Sequence, residues 1–180
     1  MQLKSIITAS VIAVLLTASS ASIAGLKVGD KAPNFSLKDQ NNLTHTLSDY
    51  EGQWIILYFY PKDDTPGCTT QACDFRDAVK RIIASKAEVF GLSLDSVASH
   101  KLFAEKFNLP FSLLADETGE VSKLYDSLRN LWFYKVAKRN TFIVGPKGNI
   151  AKIYLSVDPK THSEMVLSDI SSLQKAAGKP

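Results

Sequence analysis

Residues that most often carry metal or redox chemistry are scarce in this chain: two cysteines and three histidines in 180 residues. The histidines, His45, His100 and His162, are scattered without ligand spacing, so a metal centre lacks donors and none is expected. Each is expected at the surface or at a helix cap. No C-x-x-C occurs, which removes the thioredoxin-type redox motif. Net charge is only +3, and no basic cluster is long enough to suggest nucleic acid. Internal repeats, low-complexity stretches and an interdomain linker are also missing. What remains is an ordinary globular composition, 45% hydrophobic and 22% charged, long enough for one domain with a full core.

The first 24 residues read differently. Lys4 gives a positive start, Ile6 to Leu16 is apolar, and small residues follow from Thr17 to Ala24. That order is the order of a secretory signal peptide, and the apolar run is short for a membrane span. Cleavage after Ala24 or after Ala21 fits. The competing reading is an uncleaved N-terminal membrane anchor. With no cysteine near the site, lipid anchoring there is excluded. We therefore expect residues 1–24 to be a signal peptide and residues 25–180 to be exported to a bacterial periplasm, with no stable membrane association after cleavage.

Asn34–Leu37 and Leu43–Leu47, separated by a polar turn, read as an N-terminal hairpin. Trp54–Tyr60 is almost continuously apolar, as a strand buried on both faces would be. Thr65–Ser85 reads as a helix with Thr65 at the N-cap and Pro66 at the first helical position. Glu88–Leu94 and Pro110–Ala115 read as strands, Val97–Phe107 and Glu120–Leu128 as helices. Asn140–Val144 and Ile150–Leu155 flank the turn Gly145–Asn149, and Glu164–Lys175 closes the chain as a helix. Leu131–Tyr134 is expected to pack into the core. The alternation predicts an α/β fold with a mixed central sheet covered by helices.

Both cysteines fall at the junction of that apolar strand and the long helix. Cys68 is the third helical residue, where local rules prefer Glu or Gln. There it gains the positive helix end and unpaired N–H groups. Bringing a thiol from its usual pKa of about 8.5 to about 6 takes roughly 3.4 kcal/mol. A helix terminus supplies about 0.3–2 kcal/mol, so a cation is needed from elsewhere in the fold. Asp63 and Asp64 would oppose a thiolate unless they point away. Arg76 and Arg81 lie too far along the same helix, which leaves Arg129 and Arg139. Cys73 lies five residues on, a Cα separation of about 8.7 Å in a helix, whereas a disulfide needs about 7 Å or less. Either a structural staple unwinds the segment permanently, or the helix opens during a cycle. The amphipathic pattern runs unbroken through Cys73, which favours the second.

Pro61, Thr65 and Cys68 match the P-x-x-x-T-x-x-C motif of peroxiredoxins. The string Tyr60 to Asp77 resembles the bacterioferritin comigratory protein branch, or Q-type, marked by a second cysteine five residues after the first. Gly29–Phe35, Leu113–Asp116 and Arg139–Val144 resemble further segments of that branch, so the likeness spans about residues 26 to 170. The leader departs from most members, which are cytosolic, and Lys135–Lys138 lacks the glycine often found before the arginine strand.

The resemblance implies a thioredoxin-like fold and a thiol-specific peroxidase acting on hydrogen peroxide and organic hydroperoxides. It makes Cys68 the peroxidatic cysteine and Cys73 the resolving cysteine, which forms an intramolecular disulfide. It gives Thr65 to the peroxide, Pro61 to shielding the sulfur, and Arg139 to the missing cation. No cofactor is implied. The implied partners are a peroxide and a thioredoxin-like reductant, and intramolecular resolution implies a monomer. The alternatives are a general thiol–disulfide oxidoreductase or a noncatalytic exported domain with a structural disulfide.

Overall fold

The computed structural model describes residues 25–178. The expected signal peptide, residues 1–24, lies outside them. A short hairpin, β1 (Ser36–Lys38) and β2 (Thr44–Thr46), leads into a 3-10 turn at Leu47–Tyr50. Then come β3 (Trp54–Phe59), α1 (Pro66–Ala84), β4 (Ala87–Ser93), α2 (Val97–Phe107), β5 (Ser112–Ala115) and α3 (Glu120–Leu124). A second hairpin, β6 (Leu128–Leu131) and β7 (Tyr134–Ala137), precedes β8 (Thr141–Val144), β9 (Ile150–Tyr154) and α4 (His162–Ala177).

Five strands form the central sheet in the order β5-β4-β3-β8-β9. β3, β4 and β5 run parallel, as their helical crossovers α1 and α2 require. β8 and β9 are antiparallel, joined by the tight turn in which Gly148 takes φ +71°. The sheet is therefore mixed, as expected. β3 is its middle strand, and every residue of it is buried. Ile56 and Tyr58 face the core under α1 and α4, with Phe75, Ile82, Val166 and Ile170. Ile55, Leu57 and Phe59 face a second core closed by Phe35, Leu47, Val121 and Tyr125. That two-sided burial explains the unbroken apolar run. The N-terminal hairpin is tied to the edge strand β5, where the Gln40 side chain bonds Phe111 O and Leu113 N.

Three expectations are overturned. The helix expected over residues 120–128 stops at Leu124, because Asp126 takes a left-handed φ of +48° and the chain turns into β6. Leu131–Tyr134 is not core. It is the tip of the β6–β7 hairpin, with Trp132 98% and Phe133 91% exposed. The histidines are not surface or capping residues. His100 and His162 are fully buried and His45 is half-buried against Asp39. His162 opens α4 and bonds Thr141 Oγ1 at 2.9 Å, while burial pushes its pKa down to about 4.

Candidate active site

The site forms where β3 ends and α1 begins. Thr65 is the N-cap of α1 in extended geometry and Pro66 is the first helical residue, as the sequence implies. The Thr65 hydroxyl does not cap the helix, however. It donates to Lys62 O at 3.0 Å, so the first-turn N–H groups keep no side-chain partner. The positive helix end is thereby left open toward Cys68, the third helical residue, which is buried and free.

The preceding loop is fixed from beneath. Asp63 is buried and accepts hydrogen bonds from Tyr60 Oη at 2.7 Å and Ser99 Oγ at 2.7 Å, and it pairs with His100 Nδ1 at 2.9 Å. Its backbone N–H donates to Asp95, which is in turn held by Ser93. Asp64 is exposed and pairs with Lys106. Both acids are thus engaged by other partners, with Asp63 held toward α2. The Tyr60 hydroxyl, buried beside this carboxylate, has its pKa pushed far above the usual tyrosine value, first by burial and then by Asp63.

Arg139 supplies the cation. It stands just before β8, which pairs antiparallel with β3 so that Tyr58 lies opposite Thr141. This register brings a residue 71 positions away to the start of α1. Its Nη2 donates to Cys68 Sγ at 3.3 Å and its Nη1 to Gln71 Oε1 at 2.7 Å. Val157 N–H donates to Arg139 O, and neighbouring Asn140 is bonded to Phe59, Ser127 and Ser156, so the arginine's backbone is held on both sides. Gly67 leaves the room this requires: a Cβ there would lie 3.2 Å from Nη2. Arg129 is exposed on β6, Arg76 bonds Asp77 and Phe107 O, and Arg81 pairs with Glu164. Of the four arginines, the fold brings Arg139 alone to the sulfur.

Cys73 is half-buried, five residues along an unbroken α1 and also free. It stands near the exposed Asp77 and Lys80 rather than on the core stripe of Cys68, Ala72, Phe75 and Ile82. Pro61, half-exposed, leads into the loop that carries Thr65. Sequence reasoning missed Gln71 and the Asp63–His100 pair. Gln71 carried a signal: a polar residue one turn after Cys68, on the apolar face of the helix.

Fold and site together define a thioredoxin-like protein built around one buried cysteine, held at a helix start beside a guanidinium. The sequence pattern of the AhpC/TSA family matches residues 28–153. The chain is 42% identical over 158 residues to chloroplastic peroxiredoxin Q of Triticum aestivum, covering 87% of this chain and 72% of that protein. It is 39% identical to peroxiredoxin Bcp of Bacillus subtilis over 154 residues, 83% of this chain and 98% of the relative. Among solved structures, a cysteine-to-serine variant of Xylella fastidiosa PrxQ superposes with a TM-score of 0.78 at 32% identity, covering 83% of this chain and 98% of that one. Peroxidoxin BcpB of Mycobacterium tuberculosis gives a TM-score of 0.77 at 31% identity, covering 82% and 97%.

The chain belongs to the AhpC/TSA family, as a peroxiredoxin of the Q/Bcp kind. It is a thiol peroxidase with an antioxidant role, and neither the general disulfide oxidoreductase nor the noncatalytic reading is favoured.

Proposed function

We propose that Cys68 is the peroxidatic cysteine and Cys73 the resolving cysteine of an intramolecular cycle. The observation that carries this is the Arg139 Nη2 contact with Cys68 Sγ, 3.3 Å, at an uncapped helix start. Guanidinium and helix end both favour the thiolate over the thiol. The thiolate attacks one oxygen of the peroxide, and the O–O bond breaks. Cys68 becomes a sulfenic acid, and the other oxygen leaves, with a proton, as water or alcohol. Arg139 steadies the charge as it moves from sulfur to the leaving oxygen. The Thr65 hydroxyl and the free first-turn N–H groups hold the peroxide oxygens, and Pro61 shields the sulfur from water.

With α1 intact, the Cα atoms of the two cysteines stand about 8.7 Å apart, too far for a disulfide. The first turns of α1 therefore open. The Cys73 thiolate then attacks the Cys68 sulfenic sulfur, forming the disulfide and releasing water. A dithiol reductant of the thioredoxin kind restores both thiols and is itself oxidised. Resolution within one chain requires no second subunit, so we assign a monomer. The positive–apolar–small order of residues 1–24 supports export to the periplasm after cleavage.

Peroxide consumption with a thiol reductant tests the assignment. Cys68→Ser should abolish turnover, and Cys73→Ser should consume one peroxide per chain and stop at the sulfenic acid. Undiminished turnover by Cys68→Ser would sink the mechanism. Mass spectrometry of the exported protein reads the mature N-terminus: a chain that still begins at Met1 would contradict cleavage.

A further inference from the structure

The β6–β7 hairpin ends in a feature that the peroxidase cycle does not use. Its two strands are joined by a two-residue turn, Trp132-Phe133, with Leu131 paired to Tyr134 beneath it. Such turns favour Asn, Asp or Gly, which tolerate the required backbone angles. Here neither turn residue takes a positive φ. The turn therefore demands neither Gly nor Asn, but the two aromatic rings contribute nothing to its geometry. Neither ring is used in packing against the domain: Trp132 is 98% and Phe133 91% exposed, with their centroids 6.2 Å apart and the planes tilted by 66°. Tyr134 and Leu131 extend the apolar tip.

The charged side chains of the ribbon nearest the tip, Arg129 and Lys135, are both cations. Arg129 pairs with Val136 and Lys135 with Asn130 in the ribbon register, which puts one cation on each face just below the aromatic turn. Both are exposed, and among the described residues neither pairs with a carboxylate. Lys62, also exposed, lines a shallow pocket with Pro61, Asp95, Tyr134 and Lys135, so the hairpin adjoins the loop that precedes Cys68; the Asp95 carboxylate there is taken by Asp63 N and Ser93 Oγ. A second copy of this chain is a poor occupant, because a two-fold contact between tips would set the cations of one copy against those of the other.

We propose that the β6–β7 tip docks the protein reversibly on an anionic phospholipid surface. Trp132 and Phe133 enter the boundary between headgroups and acyl chains, and Arg129 and Lys135 meet the lipid phosphates. Aromatic rings with a polar edge settle at that depth, and basic residues beside them are drawn to an anionic leaflet. Unlike an anchor, such docking is reversible, so it differs from the stable association that the sequence argues against. It does not depend on the roles assigned to Cys68 and Cys73, but it would hold the Pro61–Lys62 side of the site toward the bilayer.

The mature chain, residues 25–180, reports on this directly, because its second tryptophan, Trp54, is buried in the core. Vesicles of phosphatidylglycerol and phosphatidylcholine with brominated acyl chains should shift the Trp132 emission to the blue and quench it. Trp132→Phe should remove that response. Arg129→Gln with Lys135→Gln should raise the lipid concentration for half-quenching by about 30-fold, from two phosphate-facing cations. Hydrogen peroxide consumption in solution by Trp132→Ser/Phe133→Ser should match the wild type, showing that the variant is folded. Three results would each overturn the proposal. One is no quenching by anionic vesicles, and another is equal quenching by pure phosphatidylcholine. The third is a blue shift that grows with protein concentration in the absence of lipid, which would assign the tip to self-association. Loss of turnover with a thioredoxin-like reductant in the tip variant, without quenching, would make the hairpin the reductant's docking site instead.

Discussion

Cys68 and Cys73 occupy one helix, five residues apart, in opposite environments. Cys68 lies on the buried stripe of α1, in the first turn, with a guanidinium against its sulfur. Cys73 lies past that turn, half-buried, beside exposed charged residues. The contrast shows how one helix can hold one thiol ready and withhold the other. The helix end and Arg139 both favour the thiolate at Cys68, and neither bears on Cys73 in the same way. The difference survives only while α1 is wound, so in the proposed cycle the opening of that helix would time the reaction between the two sulfurs.

The contrast collapses first if the cation goes. Arg139→Met should lower the second-order rate of Cys68 oxidation by roughly 10²–10³, the usual cost of deleting one charge-stabilising donor, measured by stopped-flow with hydrogen peroxide. Arg139→Lys should recover only part of this, because one ammonium does not reproduce the fork that reaches Sγ and Gln71 Oε1 together. Rates unchanged in Arg139→Met would mean that the helix end suffices.

Acid should loosen the helix that keeps the cysteines apart. His162 packs edge-on against Phe75 of α1, and its pKa is about 4 in the fold against 6.5 unfolded. The unfolded chain therefore binds the proton more tightly. The stability due to neutral His162 is fully present above pH 6.5 and is lost as pH falls toward 4. Urea unfolding should show roughly 2–3 kcal/mol less stability at pH 4.5 than at pH 7.5 from this residue. His162→Gln should flatten that slope, and an unaltered slope would remove His162 from the account.

Smaller changes should tune the two steps. Gly67→Ala sets a methyl group 3.2 Å from Arg139 Nη2 and should slow Cys68 oxidation several-fold, and by raising the helix propensity of the same turn it should also slow disulfide formation from the sulfenic acid. Thr70→Ala raises helix propensity by about 0.5 kcal/mol at an exposed position between the cysteines. It should slow disulfide formation about twofold without altering the first oxidation. If it slowed both steps alike, α1 would not be the gate.

Legibility in the sequence divides along the same line. The buried strand, the helix start at Thr65-Pro66, the stripe that takes Cys68 and leaves Cys73, and the turn Gly145–Asn149 all follow from spacing within about 20 residues. The β6–β7 hairpin was missed because its turn carries two aromatic residues where turn chemistry favours Gly or Asn. For the same reason Leu131–Tyr134 looked like core. The buried histidines were misplaced because the partner that takes a ring nitrogen of each is distant in sequence: Asp63 for His100 Nδ1 and Thr141 for His162 Nε2.

The sequence by itself determined that a cysteine would stand in the first turn of a helix after a buried strand, with a second out of its reach while that helix held. Periodicity and capping are local, and they act through residues a few positions apart. The family resemblance pointed to Arg139, but the physical reason that it and not Arg129 reaches the sulfur lies in the tertiary structure. Spacing left Arg129 and Arg139 equal. The antiparallel pairing of β8 with β3 brings Arg139 to Cys68, while the turn into β6 leaves Arg129 in solvent. Strand pairing across some 70 residues is set by the packing of the whole sheet, and no local pattern encodes it.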